Sequence, residues 1–167
     1  MLRLALGLAA VAVVLALAAP DLVQRLVAAT KVDRQAAPAA ASGGPARVFL
    51  SADRRGHFET DLSVNGRSLR ALVDTGASLV ALTWEDGRAL GLIRPGERMD
   101  VRMQTANGVA GGKRVMLNSV RLSGITLANV EGVVAEEGAL PVNLLGMTFL
   151  KRLRSFEMSG GRLLLEQ

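Results

Sequence analysis

One stretch of this sequence places residues able to do acid–base chemistry at close spacing: Leu72-Val73-Asp74-Thr75-Gly76-Ala77-Ser78. Two apolar residues of strand type deliver a carboxylate, and a glycine two positions on permits a tight turn. A further apolar run, Leu79 to Leu82, leaves the turn. A carboxylate held at the end of a strand can take a proton from water, or give one when protonated. The same letters also describe a plain β-turn whose Asp accepts from its own backbone. Little else in the chain competes. With no cysteine, a disulfide framework, a thiol nucleophile and a Cys-based zinc site are excluded. His57 is the only histidine, so a His-rich metal site and a two-histidine relay are excluded as well. His57 opens a strand beside Phe58 and reads as a solvated histidine. Glu136-Glu137 has no His or Asp cluster near it and reads as a solvated loop. No metal and no cofactor is expected.

The elements that must hold Asp74 are short strands joined by tight turns. His57 to Val64 ends at Asn65-Gly66, a strong hairpin signal because both residues tolerate positive φ. Ser68 to Val73 is the return strand and leads into Asp74. Thr83 to Asp86 resembles a capping box with Asp in place of Glu, so a helix is expected over Trp84 to Leu90, stopped by Gly91. Trp84 is assigned to core or interface packing. Met99 to Thr105 and Val109 to Leu117 flank a second Asn-Gly, at Asn107-Gly108. Val120 to Leu122 and Ile125 to Val130 flank Ser123-Gly124, and Val133-Val134 forms another strand. Met147 to Leu153 is a short amphipathic helix. Phe156 to Met158 and Leu163 to Leu165 flank Gly160-Gly161. Many short strands at this spacing predict an all-β fold, a small closed barrel or sandwich with one or two short helices. Val64 to Val73 and Leu122 to Glu131 share a weak repeat, with Gly third and Leu sixth, which suggests two similar halves.

The amino terminus differs in kind. Leu4 to Ala19 is an unbroken small or apolar run, preceded by Arg3 and followed by Pro20-Asp21. As a helix it would reach about 24 Å, slightly short of a hydrocarbon core. Residues 1–20 are therefore expected to be a transmembrane anchor, or a signal peptide cut after Ala16-Leu17-Ala18. Arg3 before the run places the start in the cytoplasm and the rest of the chain outside the inner membrane. Residues 21–46 include Gln35 to Ala46, rich in Ala, Pro and Gly, and are expected to be a flexible linker. That leaves 47–167 as the folded domain. The whole chain has 167 residues and a net charge of +5, but Arg47 to Gln167 carries 16 basic residues against 13 acidic ones. Tyrosine is absent and aromatics are 3% of the chain, so there are few platforms for stacking bases, and nucleic acid is not expected as a partner.

With these residues in place, LVDTGAS resembles the active-site motif of the retropepsin-like aspartic peptidases. Asn143-Leu144-Leu145-Gly146 followed by a helix resembles the apolar-apolar-Gly element near the end of that unit. The hairpin from Val101 to Arg114 falls where the family has its flap. Together GHFETDLSVNG, ALVDTGAS, TANG and LLGMTFL are similar to the bacterial membrane-anchored members, over about Gly56 to Gln167. The resemblance implies a retropepsin-type barrel and an aspartic endopeptidase. Its chemistry needs two carboxylates that share one proton. This chain has one Asp-Thr-Gly, and the place before Gly146 holds Leu144-Leu145. The expected active species is therefore a homodimer with Asp74 from each copy at a two-fold axis.

The resemblance also implies the supporting roles. Thr75 hydrogen-bonds across the axis. Gly76 orients the carboxylates through its N–H, and Ala77 and Ser78 complete the turn. Leu145 and Gly146 pack a second loop beneath the catalytic one. Gln104, Thr105, Asn107 and Gly108, with Arg102, are expected to contact substrate, while Gly108, Gly111 and Gly112 supply flap flexibility. The expected substrate is a polypeptide in the periplasm, with the membrane engaged through the N-terminal helix. The competing reading is a non-catalytic binding or dimerisation module that keeps the fold. Ala77 lacks a hydroxyl that could donate to the carboxylates, so activity should extend toward neutral pH. Ala77→Ser should move the acid limb of the pH–rate profile to lower pH, because a donor favours the ionised form. Profiles of the two proteins check this, and an unmoved limb contradicts it.

Overall fold

The computed structural model describes residues 45–105 and 108–167. The expected anchor, and all of the expected linker except Pro45 and Ala46, lie outside the described residues. Among the described residues no helix is long and apolar enough to cross a membrane.

The chain order is β1 (Arg47–Ser51), β2 (Glu59–Val64), β3 (Arg67–Val73), β4 (Val80–Leu82), α1 (Trp84–Ala89), β5 (Val101–Thr105), β6 (Gly108–Leu122), β7 (Ile125–Ala135), β8 (Asn143–Leu145), α2 (Met147–Leu150), β9 (Ser155–Ser159) and β10 (Arg162–Glu166). The larger sheet runs β2-β3-β8-β4-β7-β6-β5. A further pairing of β2 with β6, Ser63 opposite Arg121 and Val64 opposite Val120, closes six of these strands into a barrel. Closure removes the free edges that an open sheet would present. β5 stays outside the ring, paired only with β6 as a hairpin arm. β1, β10 and β9 form a separate antiparallel sheet.

The all-β class is therefore observed, with a closed barrel and two short helices. The first Asn-Gly turn forms as expected: Asn65 and Gly66 have φ of 49° and 88°, the left-handed geometry that suits a two-residue hairpin. Thr83 caps α1 by accepting from the Asp86 N–H at 3.2 Å. α1 lies against β7 without a gap. A Cβ at Gly87 would fall 2.3 Å from Val134 Cγ1. Val134 is fully buried and β-branched, so it has little freedom to turn away. Gly87→Ala should cost about 2 kcal/mol through overpacking, measured by urea unfolding.

Several boundaries differ from expectation. β6 and β7 are each one long strand, where the sequence suggested a break at Asn118-Ser119 and another at Glu131-Gly132. Gly132 is not a turn residue. It stands opposite Val80 where β4 pairs with β7, and a Cβ there would meet the Val80 carbonyl oxygen at 3.0 Å. α2 covers only Met147–Leu150, and the residues to Leu153 continue as turns rather than helix. β1 was not anticipated as a strand, because its partner β10 is far away in sequence and no local turn announces it.

The repeat between the halves is structural. Val64 and Leu122 are buried, as are Leu69 and Leu127. Each half continues alike: hairpin β2–β3 leads to β4 and α1, and hairpin β6–β7 leads to β8 and α2. The parallel pairs cross between halves, β3 with β8 and β4 with β7. The core lies inside the ring, with Leu62, Val64, Leu82, Leu117, Ile125, Leu145 and Phe149 sealed from solvent.

Candidate active site

Asp74 comes directly after β3 and is partly exposed. Its backbone N–H donates to the Leu145 carbonyl at 3.2 Å, which extends the β3–β8 pairing by one step. Its carboxylate accepts from the Gly76 N–H at 2.8 Å. That bond needs the chain to turn back over the side chain, and a Cβ at Gly76 would sit 3.1 Å from the same oxygen. The Ala77 N–H donates to the Asp74 carbonyl at 3.3 Å, closing the turn. Thr75 and Ser78 are exposed. Among the described residues nothing bonds the Thr75 hydroxyl.

The second half of the chain holds this turn from below. The Met147 and Thr148 N–H groups donate to the carbonyls of Ala77 and Ser78, at 2.8 and 3.1 Å. The Thr148 hydroxyl accepts from the Val80 N–H at 3.0 Å and donates to the Glu131 carbonyl at 2.7 Å. Gly146 is in contact with the turn's backbone: a Cβ on it would lie 2.0 Å from the Leu79 carbonyl oxygen. Leu145 is completely buried. The structure thus brings Asp74, Gly76, Ala77, Ser78, Leu145 and Gly146 together.

The crossed parallel pairs locate the counterpart of Asp74 within the chain. Val73 stands opposite Leu145 in one pair, and Val134 opposite Leu82 in the other. Gly146 and Thr83 then each begin a helix as its N-cap. The residue after Val73 is Asp74, and the residue after Val134 is Ala135, which is fully buried. The mirror of the Asp74 position is therefore Ala135, not the Leu144-Leu145 pair singled out from sequence. The second half offers no carboxylate there.

The β5–β6 arm has two distinct faces. Val101 pairs with Gly112 and Met103 with Ala110, so these side chains share one face. A Cβ on Gly112 would lie 2.6 Å from Val133 Cγ2 and 3.3 Å from the Met103 thioether, which turns that face toward the barrel. Arg102, Gln104, Val109 and Gly111 occupy the other face, where Arg102, Gln104 and Val109 are exposed. A cavity of about 590 Å³ opens there, lined by Met99, Arg102, Val109 and Glu136 among others. The Thr105 hydroxyl donates to the Gly108 carbonyl at 2.9 Å, and Gly108 has φ of 110°. Asn107 lies outside the described residues. Gly111 and Gly112, expected to lend flexibility, are instead close-packed positions, Gly111 beneath the Glu136 carboxylate and Gly112 against Val133. Met103 on the barrel side was missed from sequence, because face assignment depends on the register.

The root of the arm is tied electrostatically. Lys113 reaches Asp100 at 3.2 Å and Glu97 at 3.4 Å. The Arg114 N–H and then Lys113 hold the Asp100 carboxyl below the ordinary carboxylate value, and Asp100 with Glu97 raises Lys113. A lowered folded value means that this contribution is present above the ordinary carboxylate range and fades as pH falls through the lowered one. His57 is exposed, and its backbone N–H donates to the Asp53 carboxylate at 2.8 Å.

A small barrel of crossed parallel strands, with an Asp-Thr-Gly turn held by the following apolar-Gly-helix element, defines the retropepsin-like fold. The match to solved structures agrees. A crystal structure of a retropepsin-like aspartic protease from Rickettsia conorii aligns with a TM-score of 0.66 at 34% identity, covering 73% of this chain and 91% of that one. The family model described as gag-polyprotein putative aspartyl protease matches residues 60–152, and the chain belongs to that family. An uncharacterized protein in the cobV 5′ region of Sinorhizobium sp is 42% identical over 117 residues, 70% of this chain and 50% of that protein. The uncharacterized protein RP867 of Rickettsia prowazekii is 35% identical over 118 residues, 71% of this chain and 50% of that protein. The chain thus spans about half the length of these two curated relatives.

Proposed function

We propose that this chain is one half of an aspartic endopeptidase, completed by a second copy of itself. The observation that carries the reading is Asp74: a partly exposed carboxylate oriented by the Gly76 N–H, with the buried Ala135 at the mirrored position. One chain supplies one acid, and the reaction needs two. In the dimer the Asp74 carboxylates share a proton, since both cannot ionise at close range. The ionised one takes a proton from a water molecule as its oxygen attacks the amide carbon. The protonated one hydrogen-bonds the carbonyl oxygen in the tetrahedral intermediate. Collapse breaks the C–N bond as a proton passes to the leaving nitrogen. The exposed Thr75 hydroxyl, unbonded among the described residues, would hydrogen-bond the partner's turn across the axis. Substrate lies as an extended strand between the turn and the β5–β6 arm. The Leu4–Ala19 run tethers the domain to the bacterial inner membrane, with the barrel and its protein substrates in the periplasm.

The test joins assembly to activity. Full-length protein in detergent should sediment as a dimer at concentrations where it degrades an unstructured protein, and activity should fall on dilution as the dimer dissociates. Cleavage by a species that stays monomeric would overturn the reading.

A further inference from the structure

Asn143 opens β8 and is 4% exposed, yet its amide oxygen and both of its N–H donors are bonded. Its Nδ2 group donates to the Arg70 carbonyl at 2.7 Å and to Asp86 Oδ2 at 2.7 Å. Its Oδ1 accepts from the Thr83 N–H at 2.9 Å. These partners have a common relation to the site. Arg70 lies on β3, which leads into Asp74, and Thr83 comes after β4, which leads out of the catalytic turn. One buried side chain thus clasps the base of the loop that carries the carboxylate. Asp86 holds the clasp from outside: it is in the first turn of α1, its N–H donates to Thr83, and its carboxylate orients the amide. A buried amide bonded at its oxygen and at both N–H donors has one orientation, because any rotation leaves a buried polar group unpaired. The Arg70 guanidinium takes no part, being engaged by Glu59.

We propose that Asp86 and Asn143 are positioning residues: together they set the separation of β3 and β4 at the base of the Asp74 turn, and so the aim of its carboxylate. The effect on rate rests on the peptidase reading above, while the effect on the loop does not. Asn143→Asp replaces the donor with a carboxylate facing the Asp86 carboxylate and the Arg70 carbonyl. Two carboxylates so placed share a proton at low pH and repel when both ionise.

The experiment uses the full-length protein. It measures kcat and KM across pH, and amide hydrogen exchange over residues 74–80. For Asn143→Asp, kcat should be near wild type in acid and fall about tenfold or more as pH rises, with KM little changed. Exchange in the loop should quicken over the same pH range. Adding Asp86→Asn restores a donor to that carboxylate and should recover part of both and flatten the pH dependence, the Arg70 carbonyl still lacking its donor. If Asn143→Asp does not fold, Asp86→Ala carries the test: kcat lower and exchange faster, with both returned by Asp86→Asn. The proposal is overturned if the variants leave loop exchange and the pH profile as in wild type, or if losses are uniform with pH and not rescued. Should wild type show no cleavage that depends on Asp74, the peptidase reading fails, and the exchange measurements still decide the clasp.

Discussion

Asp74→Asn should lower peptide cleavage by about a thousandfold or more while leaving the fold intact. An amide at this position can still accept the Gly76 N–H bond that orients the side chain, so the turn keeps its geometry. It cannot take a proton from water, nor share one with a second carboxylate. The loss is therefore chemical, and the variant should bind substrate and dimerise like wild type. Mixing makes the prediction sharper. If each active centre takes one Asp74 from each of two copies, exchange of subunits with excess variant creates mixed dimers that have a single acid. Activity should then vary as the square of the wild-type fraction, so that roughly a quarter survives in an equal mixture at constant total protein. A monomer complete in itself would lose activity only in proportion to its dilution. The measurement is the cleavage rate of an unstructured protein across a series of mixtures, after time for exchange. A linear series would remove the shared centre and, with it, the meaning assigned to Ala135.

Legibility in the sequence tracks the range of the interactions. Asn65-Gly66 and the Thr83 cap are decided within a few residues, and both form as expected. The Asp-Thr-Gly turn is legible for the same reason, since its defining bond spans only Asp74 to Gly76. Features decided by distant partners were hidden. Gly132 looked like a break, but the need for glycine comes from the Val80 carbonyl on another strand. β1 has no meaning until β10 arrives to pair with it. The two faces of the β5–β6 arm are exchanged by a shift of one residue in pairing, so Met103 and Gln104 could not be sorted by composition. Asn143 was visible only as the first letter of a motif. A polar residue beginning a buried apolar strand was the available signal, because such a group must find partners. Those partners, Arg70, Thr83 and Asp86, lie more than fifty residues upstream.

Gly146→Ala should be the most damaging substitution outside the carboxylate itself. The glycine's φ of −93° is ordinary for any residue, so backbone strain is not the reason. Space is. An added Cβ would lie 2.0 Å from the Leu79 carbonyl oxygen, 2.6 Å from its carbon and 2.7 Å from the Ala77 oxygen. All three are backbone atoms, so no rotamer change relieves the contact. Either β8 and α2 move away from the Asp74 turn, or the turn itself opens. Both routes strain the bonds from Met147 to Ala77 and from Asp74 to Leu145, which hold the carboxylate to the barrel. The expected cost is about 3 kcal/mol or more, at the upper end for overpacking because the obstacle is main chain. Gly124→Ala is the natural comparison, since its Cβ would meet only Ala46 at 3.7 Å. That change should alter stability by about 0.5 kcal/mol or less. Urea unfolding of both variants beside wild type separates the two cases. Where Gly146→Ala is kept folded by low temperature, cleavage should still be reduced, because the contact it breaks is with the backbone of the turn that follows Asp74. Wild-type stability in Gly146→Ala would mean that the turn and the second half are not in the close contact described.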